Sequence, residues 1–352
     1  MKSHEAAIAE YSNLFHVYEQ FTNKTERLIQ DLMKSNNLKA KIIESRTKDV
    51  ESFASKLQRK NYLDPLNEIT DFCGVRIILS YQDEVDKVVE IIEKEFEVDR
   101  DNSVDKGALL NPNEFGYRSV HYVVSLLHSR KELTEWKKYI NIKAEIQIRT
   151  ILQHSWALIS HSLQYKREND IPQNLKRKLF RLASLVELAD EEFVSLRYDH
   201  EQLESLINIK TPEDLLLQDL NIITVKKFFV ENELISNLHN SALSAGFTIK
   251  DYEDASLSVL LLYCNVVNIV TVKDLTLFIE KWLPDAKSYF SAHIYHEYVV
   301  YSEIVLDVPS LIILLIIYEN GENPILWKTV KKPDEHDFFY KAQFIHRVFP
   351  HK

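Results

Sequence analysis

The sequence predicts an α+β fold, in which a mixed sheet flanked by helices is followed by an all-α carboxyl-terminal domain. The first observation is the stretch 142–149, where apolar and polar residues alternate strictly, as they do in a half-buried strand. Two further stretches, 69–81 and 119–127, also have strand character, and helical spacing separates them. After residue 166 only helical patterns follow, which predicts the all-α part.

Length and composition limit the class of protein. A chain of 352 residues that is 45% hydrophobic can bury two cores, and we predict domains at 1–204 and 205–352. The net charge of -10 argues against a general nucleic-acid coat. Cys73 and Cys264 lie far apart in apolar runs and are expected to be buried free thiols. The longest aliphatic run, 311–318, is too short to span a bilayer, so we expect a cytoplasmic protein with no membrane association.

Basic and hydroxyl residues are interleaved in residues 44–60. Lys48, Ser52, Ser55 and Lys56 follow helical spacing, so a helix would gather them on one face. Cations and hydroxyls on one face suit a polyphosphate, because they neutralise its charge and supply hydrogen-bond donors together. The alternative is an ordinary solvated helix face.

The buried strand predicted within 69–81 has polar residues at its start. Asp71 stands at its entrance, Arg76 lies within it, and Gly74 would let a ligand or another backbone approach closely. Such an Asp is either a metal-binding carboxylate or a turn or cap residue. The strand predicted at 119–127 carries His121 and follows a loop-like segment that ends at Tyr117.

The alternating stretch has an unusual polar side, formed by Lys143, Glu145, Gln147 and Arg149. Thr150 can then cap a helix that carries an apolar stripe. A strand that ends in a packed helix holds its carboxylate and guanidinium rigidly, as a catalytic site requires. Ordinary charges on an exposed sheet face are the alternative.

Four segments together resemble the synthetase domain of RelA/SpoT-type alarmone synthetases. They are SRTKDVESFASK (45–56), ITDFCGVRII (69–78), FGYRSVHYVV (115–124) and AEIQIRT (144–150). The likeness covers about residues 40–170 and implies a nucleotidyltransferase-like fold. The amino-terminal part of the sequence has no His-Asp pair of the kind that the family's hydrolase domain uses. The chain is therefore similar to the small, synthetase-only members, with a carboxyl-terminal extension.

This resemblance implies a Mg²⁺-dependent transfer of pyrophosphate from ATP to the 3'-hydroxyl of GDP or GTP, which yields (p)ppGpp and AMP. The carboxylates matched to the metal are Asp71 and Glu145, and Glu145 is also matched to the base that engages the 3'-hydroxyl. The residues matched to the ATP side are Arg46, Lys48, Ser52, Lys56 and Arg76. Those matched to the acceptor side are Tyr117, His121, Gln147 and Arg149.

The sequence departs from the family pattern before Tyr117. Family members often have a lysine there that reaches the acceptor phosphates, whereas this chain has Asn111-Pro-Asn-Glu-Phe115. Either Lys106 or Arg118 would then replace that cation, or the acceptor differs. Toxin-type members of the family use the 3' end of tRNA or an adenosine nucleotide, and such an enzyme would be restrained by its carboxyl-terminal half. A catalytically inactive interaction protein is the remaining alternative.

The carboxyl-terminal half is predicted from helical spacing alone. Residues 172–198 are expected to form one long helix whose acidic side, with Glu187, Asp190, Glu191 and Glu192, is solvated. Three similar phrases follow, in which Thr211, Thr224 and Thr271 are expected helix N-caps. We expect this domain to bind a regulatory protein or ligand or to set a homo-oligomeric state.

Overall fold

The computed structural model describes residues 4–105, 119–163, 173–297, 305–320, 323 and 325–326. The chain divides into two compact units, Met1–Tyr198 and Asp199–Lys352. The boundary after residue 204 stays a prediction. Across the described residues, no helix has both the length and the apolar character that crossing a membrane requires.

The first unit is built on a mixed sheet, as predicted. Its described strands are β1 (Ile42–Thr47), β2 (Cys73–Leu79), β3 (Phe96–Val98), β4 (Val104–Asp105), β5 (Val120–Leu126) and β6 (Ala144–Thr150). Their order is β1-β2-β6-β5-β3, and β4 pairs with the edge of β5. β2 and β6 are parallel, and the other pairs are antiparallel. β1, β3 and β4 were not predicted. β1 overlaps the start of the basic segment 44–60, where only helical spacing was considered, and the sequence between 97 and 117 is loop-like.

Seven described helices accompany this sheet along the chain, and the last of them continues past Tyr198 into the second unit. They are α1 (His4–Ser35), α2 (Val50–Arg59), α3 (Pro65–Glu68), α4 (Gln82–Glu95), α5 (His128–Lys131), α6 (Ile151–Leu163) and α7 (Gln173–Asn208), with a 3₁₀ turn at Lys137–Tyr139. The apolar sides of β2 and β6 are buried with those of α1 and α4 in one core. Period-two alternation therefore leaves the polar residues of the same strands on the opposite face.

α7 is not solvated along its whole acidic side. Asp190 is only 2% exposed and accepts a hydrogen bond of 2.9 Å from the hydroxyl of Thr150, at the end of β6. The expectation for Asp190 was therefore wrong, because a tertiary contact buries it. Further along α7, Arg197 forms an ion pair of 2.6 Å with Asp83 of α4. These contacts attach α7 to the ends of two elements of the sheet layer.

The second unit is mainly helical, as predicted. Its described elements are α8 (Pro212–Leu216), α9 (Ile222–Glu231), α10 (Glu233–Ala245), α11 (Asp254–Val266), α12 (Val272–Glu297) and α13 (Val308–Asn320), with the two-residue strands β7 (Thr248–Ile249) and β8 (Val305–Leu306). α13 is buried on all sides and forms the centre of the core. Thr211 and Thr271 cap helices as expected. At α9, however, Asn221 is the cap, and Thr224 lies inside the helix.

Both cysteines are free and buried, as predicted. Burial raises the pKa of each thiol to about 12. Thiols with such a pKa are protonated at neutral pH and are poor nucleophiles and metal ligands. They contribute to packing and not to the candidate site.

Candidate active site

The strand register brings the predicted site residues to one face of the sheet. Glu145 on β6 lies opposite Gly74 on β2, which in turn lies opposite Arg46 on β1. At the next position of β6 that faces the same side, Gln147 lies opposite Arg76 on β2 and opposite His121 on β5. Residues directly opposite each other share a face of the sheet, so these side chains form a continuous polar surface.

A cavity of about 590 Å³ opens on this polar face. It unites seven of the predicted residues with four others. The lining residues are Glu44, Ser45, Arg46, Lys48, Ser52, Asp71, Gly74, Val75, Arg76, Glu145 and Gln147. A second cavity of about 540 Å³ lies along the exposed side of α2 and shares Lys48 and Ser52 with the first, and it adds the predicted Lys56. Gly74 has no side chain, so the space beside Glu145 in the cavity stays open.

Asp71 is held by two lysines. Its Oδ2 lies 2.8 Å from the Nζ of Lys48, and its Oδ1 lies 2.9 Å from the Nζ of Lys56. Burial alone would raise the pKa of Asp71, but the hydrogen bonds and charges of both lysines outweigh it and hold this pKa below its usual value. The site therefore holds an ionised carboxylate between two ammonium groups. Such ammonium groups are suited to phosphate oxygens.

Glu145 is the second carboxylate of the cavity. Its Oε1 lies 3.2 Å from Nδ1 of His121 and accepts a hydrogen bond of 3.1 Å from the Gln147 amide. The hydrogen bond from His121 lowers the pKa of Glu145 below its usual value, although burial and the charge of Asp71 oppose this. Its other oxygen, Oε2, has no hydrogen-bond partner among the described residues. An ionised carboxylate with one oxygen fixed and the other open can accept a proton.

This arrangement predicts that His121 controls the ionisation of Glu145. Replacing His121 by Phe removes the hydrogen-bond donor but leaves burial and the charge of Asp71, which both raise the pKa of Glu145. We therefore expect a higher Glu145 pKa in His121→Phe, measured by a carbon-detected carboxyl titration in which Glu145→Gln identifies the signal. His128, which is exposed on α5, supplies the control, and His128→Phe should leave that pKa unchanged. An unchanged pKa in His121→Phe would contradict this assignment.

The residue that caps α2 also contacts two predicted residues of the ATP side, Ser52 and Arg46. Asp49 is the N-cap of α2, and its carboxylate accepts a hydrogen bond from the backbone N–H of Ser52 (2.7 Å) and one from its hydroxyl (2.9 Å). Those bonds from Ser52 and one from Arg46 hold the pKa of Asp49 at about 2. Sequence reasoning missed Asp49, although an Asp three residues before a Ser at a helix start is a recognisable cap.

Arg76 and Arg149 differ in their access to the cavity. Arg76 lines it, forms an ion pair with Glu44 and lies within 3.5 Å of the Gln147 amide oxygen. Glu44 was not predicted. Arg149 shares the polar face but is 5% exposed, and it is not among the residues that line the cavity. Burial lowers the pKa of His154, and so do the charges of Arg149 and Arg76.

The carboxylates of this cavity fit a divalent cation. Asp71 and Glu145 are both ionised, and the charge of Asp71 acts on Glu145. Mg²⁺ is usually held by one or two carboxylates together with substrate phosphates, and not by an all-protein cage. The described residues contain no cluster of three or more His, Cys, Asp or Glu arranged to hold a metal. Of the predicted site residues, Tyr117 lies outside the described residues, as do Lys106 and Arg118.

Comparison with known proteins points to the same segments. Residues 45–170 match the family described as "Region found in RelA / SpoT proteins". The GTP pyrophosphokinase YwaC of Bacillus subtilis (strain 168) is 36% identical over 157 residues, which are 44% of this chain and 71% of that protein. The GTP pyrophosphokinase YjbM of the same organism is 33% identical over 174 residues, which are 48% of this chain and 77% of that protein.

Solved structures of two small alarmone synthetases match about half of this chain. The crystal structure of small alarmone synthetase 1 from Bacillus subtilis is 26% identical, and the match covers 55% of this chain and 98% of that chain, with a TM-score of 0.44. Small alarmone synthetase 2 from the same organism is 28% identical and covers 54% of this chain and 99% of that chain, again with a TM-score of 0.44.

Proposed function

Because this chain belongs to the RelA/SpoT family, we propose that it transfers pyrophosphate from ATP to the 3'-hydroxyl of GDP or GTP, and releases AMP. Family membership makes it a pyrophosphotransferase, and both curated relatives are GTP pyrophosphokinases. The observation that carries the proposal for the site is the placement of Asp71, Glu145 and the Lys48 ammonium in one cavity.

ATP would lie across β1, β2 and the start of α2. Lys48 and Lys56 are the ammonium groups closest to Asp71, and they would hold the triphosphate. Ser52 in the first turn of α2 lines both cavities, and its hydroxyl would turn from the Asp49 carboxylate to the phosphates when ATP binds. The planar guanidinium groups of Arg46 and Arg76 line the same cavity and are suited to stacking on a base.

Asp71 and Glu145 would hold Mg²⁺ together with the phosphates of ATP. When bound, the metal draws negative charge off the transferred phosphates. The two lysines that pair with Asp71 would then be drawn to the phosphates, which are the stronger anions. Lys48 and Lys56 would thus pair with Asp71 before ATP binds and with the ATP phosphates afterwards.

Glu145 would accept the proton of the acceptor. The 3'-oxygen attacks the β-phosphorus of ATP, the bond between that phosphorus and the oxygen of the α-phosphate breaks, and AMP leaves with that oxygen. The proton of the hydroxyl passes to the Glu145 carboxylate. Its lowered pKa keeps it ionised, and the bonds of Oε1 to His121 and Gln147 leave Oε2 available to take the proton.

A transfer assay tests this function and identifies the acceptor. Full-length protein is incubated with Mg²⁺ and labelled ATP, and separately with GDP, GTP, no further acceptor, and bulk tRNA. We expect label on GDP or GTP, because the family relatives are GTP pyrophosphokinases. Label on tRNA or on an adenosine nucleotide would instead assign the chain to the toxin-type members. No transfer to any acceptor would overturn the proposal and favour an interaction protein.

A further inference from the structure

Tyr11 on α1 is a core residue that contacts the ATP-binding side of the cavity, the donor site, at Lys48. Its hydroxyl donates a hydrogen bond to the backbone carbonyl oxygen of Lys48, 37 residues further along the chain. Tyr11 is 0% exposed and does not line either cavity, so a bound nucleotide cannot touch it. Its connection with the cavity runs through Lys48.

The other backbone group of Lys48 is also fixed. Its N–H donates a hydrogen bond of 2.8 Å to the carbonyl oxygen of Phe72, the residue after Asp71. The backbone of Lys48 is thus joined on one side to α1 and on the other to the segment that carries Asp71. These two hydrogen bonds fix the backbone position of Lys48. From there the Lys48 ammonium lies 2.8 Å from the Asp71 carboxylate.

The ring of Tyr11 contacts both segments of the donor site. Its centroid lies 4.7 Å from that of Phe72 and 5.0 Å from that of Phe53 on α2. Burial raises the pKa of Tyr11, so the hydroxyl keeps its proton at neutral pH and acts as a donor. Ring packing and hydroxyl therefore have separable roles: the ring fills the core, and the hydroxyl holds one carbonyl group.

We infer that Tyr11 is a positioning residue of the donor site, which holds the backbone of Lys48 so that the Lys48 ammonium faces Asp71 and the phosphates of ATP. This inference rests on the proposed function. It extends the site to α1, which supplies none of the residues lining the main cavity.

The variant Tyr11→Phe tests it, because it removes the hydroxyl and keeps the ring. We expect the Kd of α,β-methylene-ATP, measured by calorimetry, to rise about three- to tenfold, the effect of one lost hydrogen bond. The KM of the acceptor should stay unchanged, whereas a general loss of structure would weaken both. The control is Tyr139→Phe, since Tyr139 is equally buried and its hydroxyl bonds to Gln20 at 3.4 Å.

A double-mutant cycle separates positioning from stability. If Tyr11 acts through the Lys48 ammonium, Tyr11→Phe should leave the Kd of the analogue unchanged in a Lys48→Met background. Multiplied effects in the double variant, or wild-type affinity in Tyr11→Phe, would overturn the inference while wild-type transfer upholds the proposed function. A wild-type protein that neither binds the analogue nor transfers label would overturn both.

Discussion

Glu145→Gln is expected to lower kcat for pyrophosphate transfer on the order of 10³-fold, the usual contribution of a positioned base. An amide has nearly the shape of the carboxylate but cannot accept the proton of the 3'-hydroxyl. Binding of ATP should be largely retained, because the lysines and arginines of the donor site remain. Single-turnover rates and calorimetric titration of α,β-methylene-ATP measure the two effects separately.

The control for this variant is Glu97→Gln on β3. Glu97 belongs to the same sheet, but it is exposed and pairs with Lys131, away from the cavity. Its amide variant should transfer pyrophosphate at the wild-type rate. A Glu145→Gln protein that is folded and retains more than a tenth of the wild-type rate would show that another group accepts the proton.

Asp71→Asn is expected to lower kcat/KM on the order of 10²- to 10³-fold, as does the loss of one electrostatic contact to the reacting charge. The variant loses a metal-binding carboxylate but frees the ammonium groups of Lys48 and Lys56. Metal-free ATP should therefore bind at least as tightly as it does to the wild type. Transfer assays across a Mg²⁺ series and binding of the ATP analogue in EDTA measure these opposite effects.

A matched control for Asp71 is Asp83 on α4. Asp83 is also held by two cations, Lys87 at 3.1 Å and Arg197 at 2.6 Å, but it lies outside both cavities. Asp83→Asn loses ion pairs to two cations in the same way and should leave the Mg²⁺ dependence of transfer unchanged. Weaker binding of metal-free ATP to Asp71→Asn would contradict the role assigned to the two lysines.

Three strands of the first unit, β2, β5 and β6, could be predicted because each has a local signal, whereas β1 was missed because helical spacing was read in the segment that it overlaps. β6 shows strict alternation of apolar and polar residues. β2 is mostly apolar, with Gly74 and Arg76 as its exceptions. β3 and β4 have three and two residues, too few for a period of two to appear. Strand order could not be predicted from periodicity, and it is the parallel pairing of β2 with β6 that brings Gly74 beside Glu145.

The candidate site was predicted as far as short motifs reach. Asp71, Glu145 and Lys48 each stand in a recognisable local pattern, and the structure brings them to one cavity. Contacts between distant segments have no such pattern: Tyr11 reaches Lys48 across 37 residues, and Asp190 is buried by Thr150. A helix that looks amphipathic in sequence can therefore make tertiary hydrogen bonds that no local pattern predicts.

The most direct test of the central claim follows the β-phosphorus of ATP. Full-length protein is incubated with Mg²⁺, GDP and ATP labelled at its β-phosphorus, and AMP and labelled products are quantified together. We predict one AMP released for each β-label transferred to the 3'-oxygen of GDP, and formation of both products slowed on the order of 10³-fold in Glu145→Gln. Label that remains on ADP, with only the terminal phosphate transferred or hydrolysed, would contradict pyrophosphate transfer at this site.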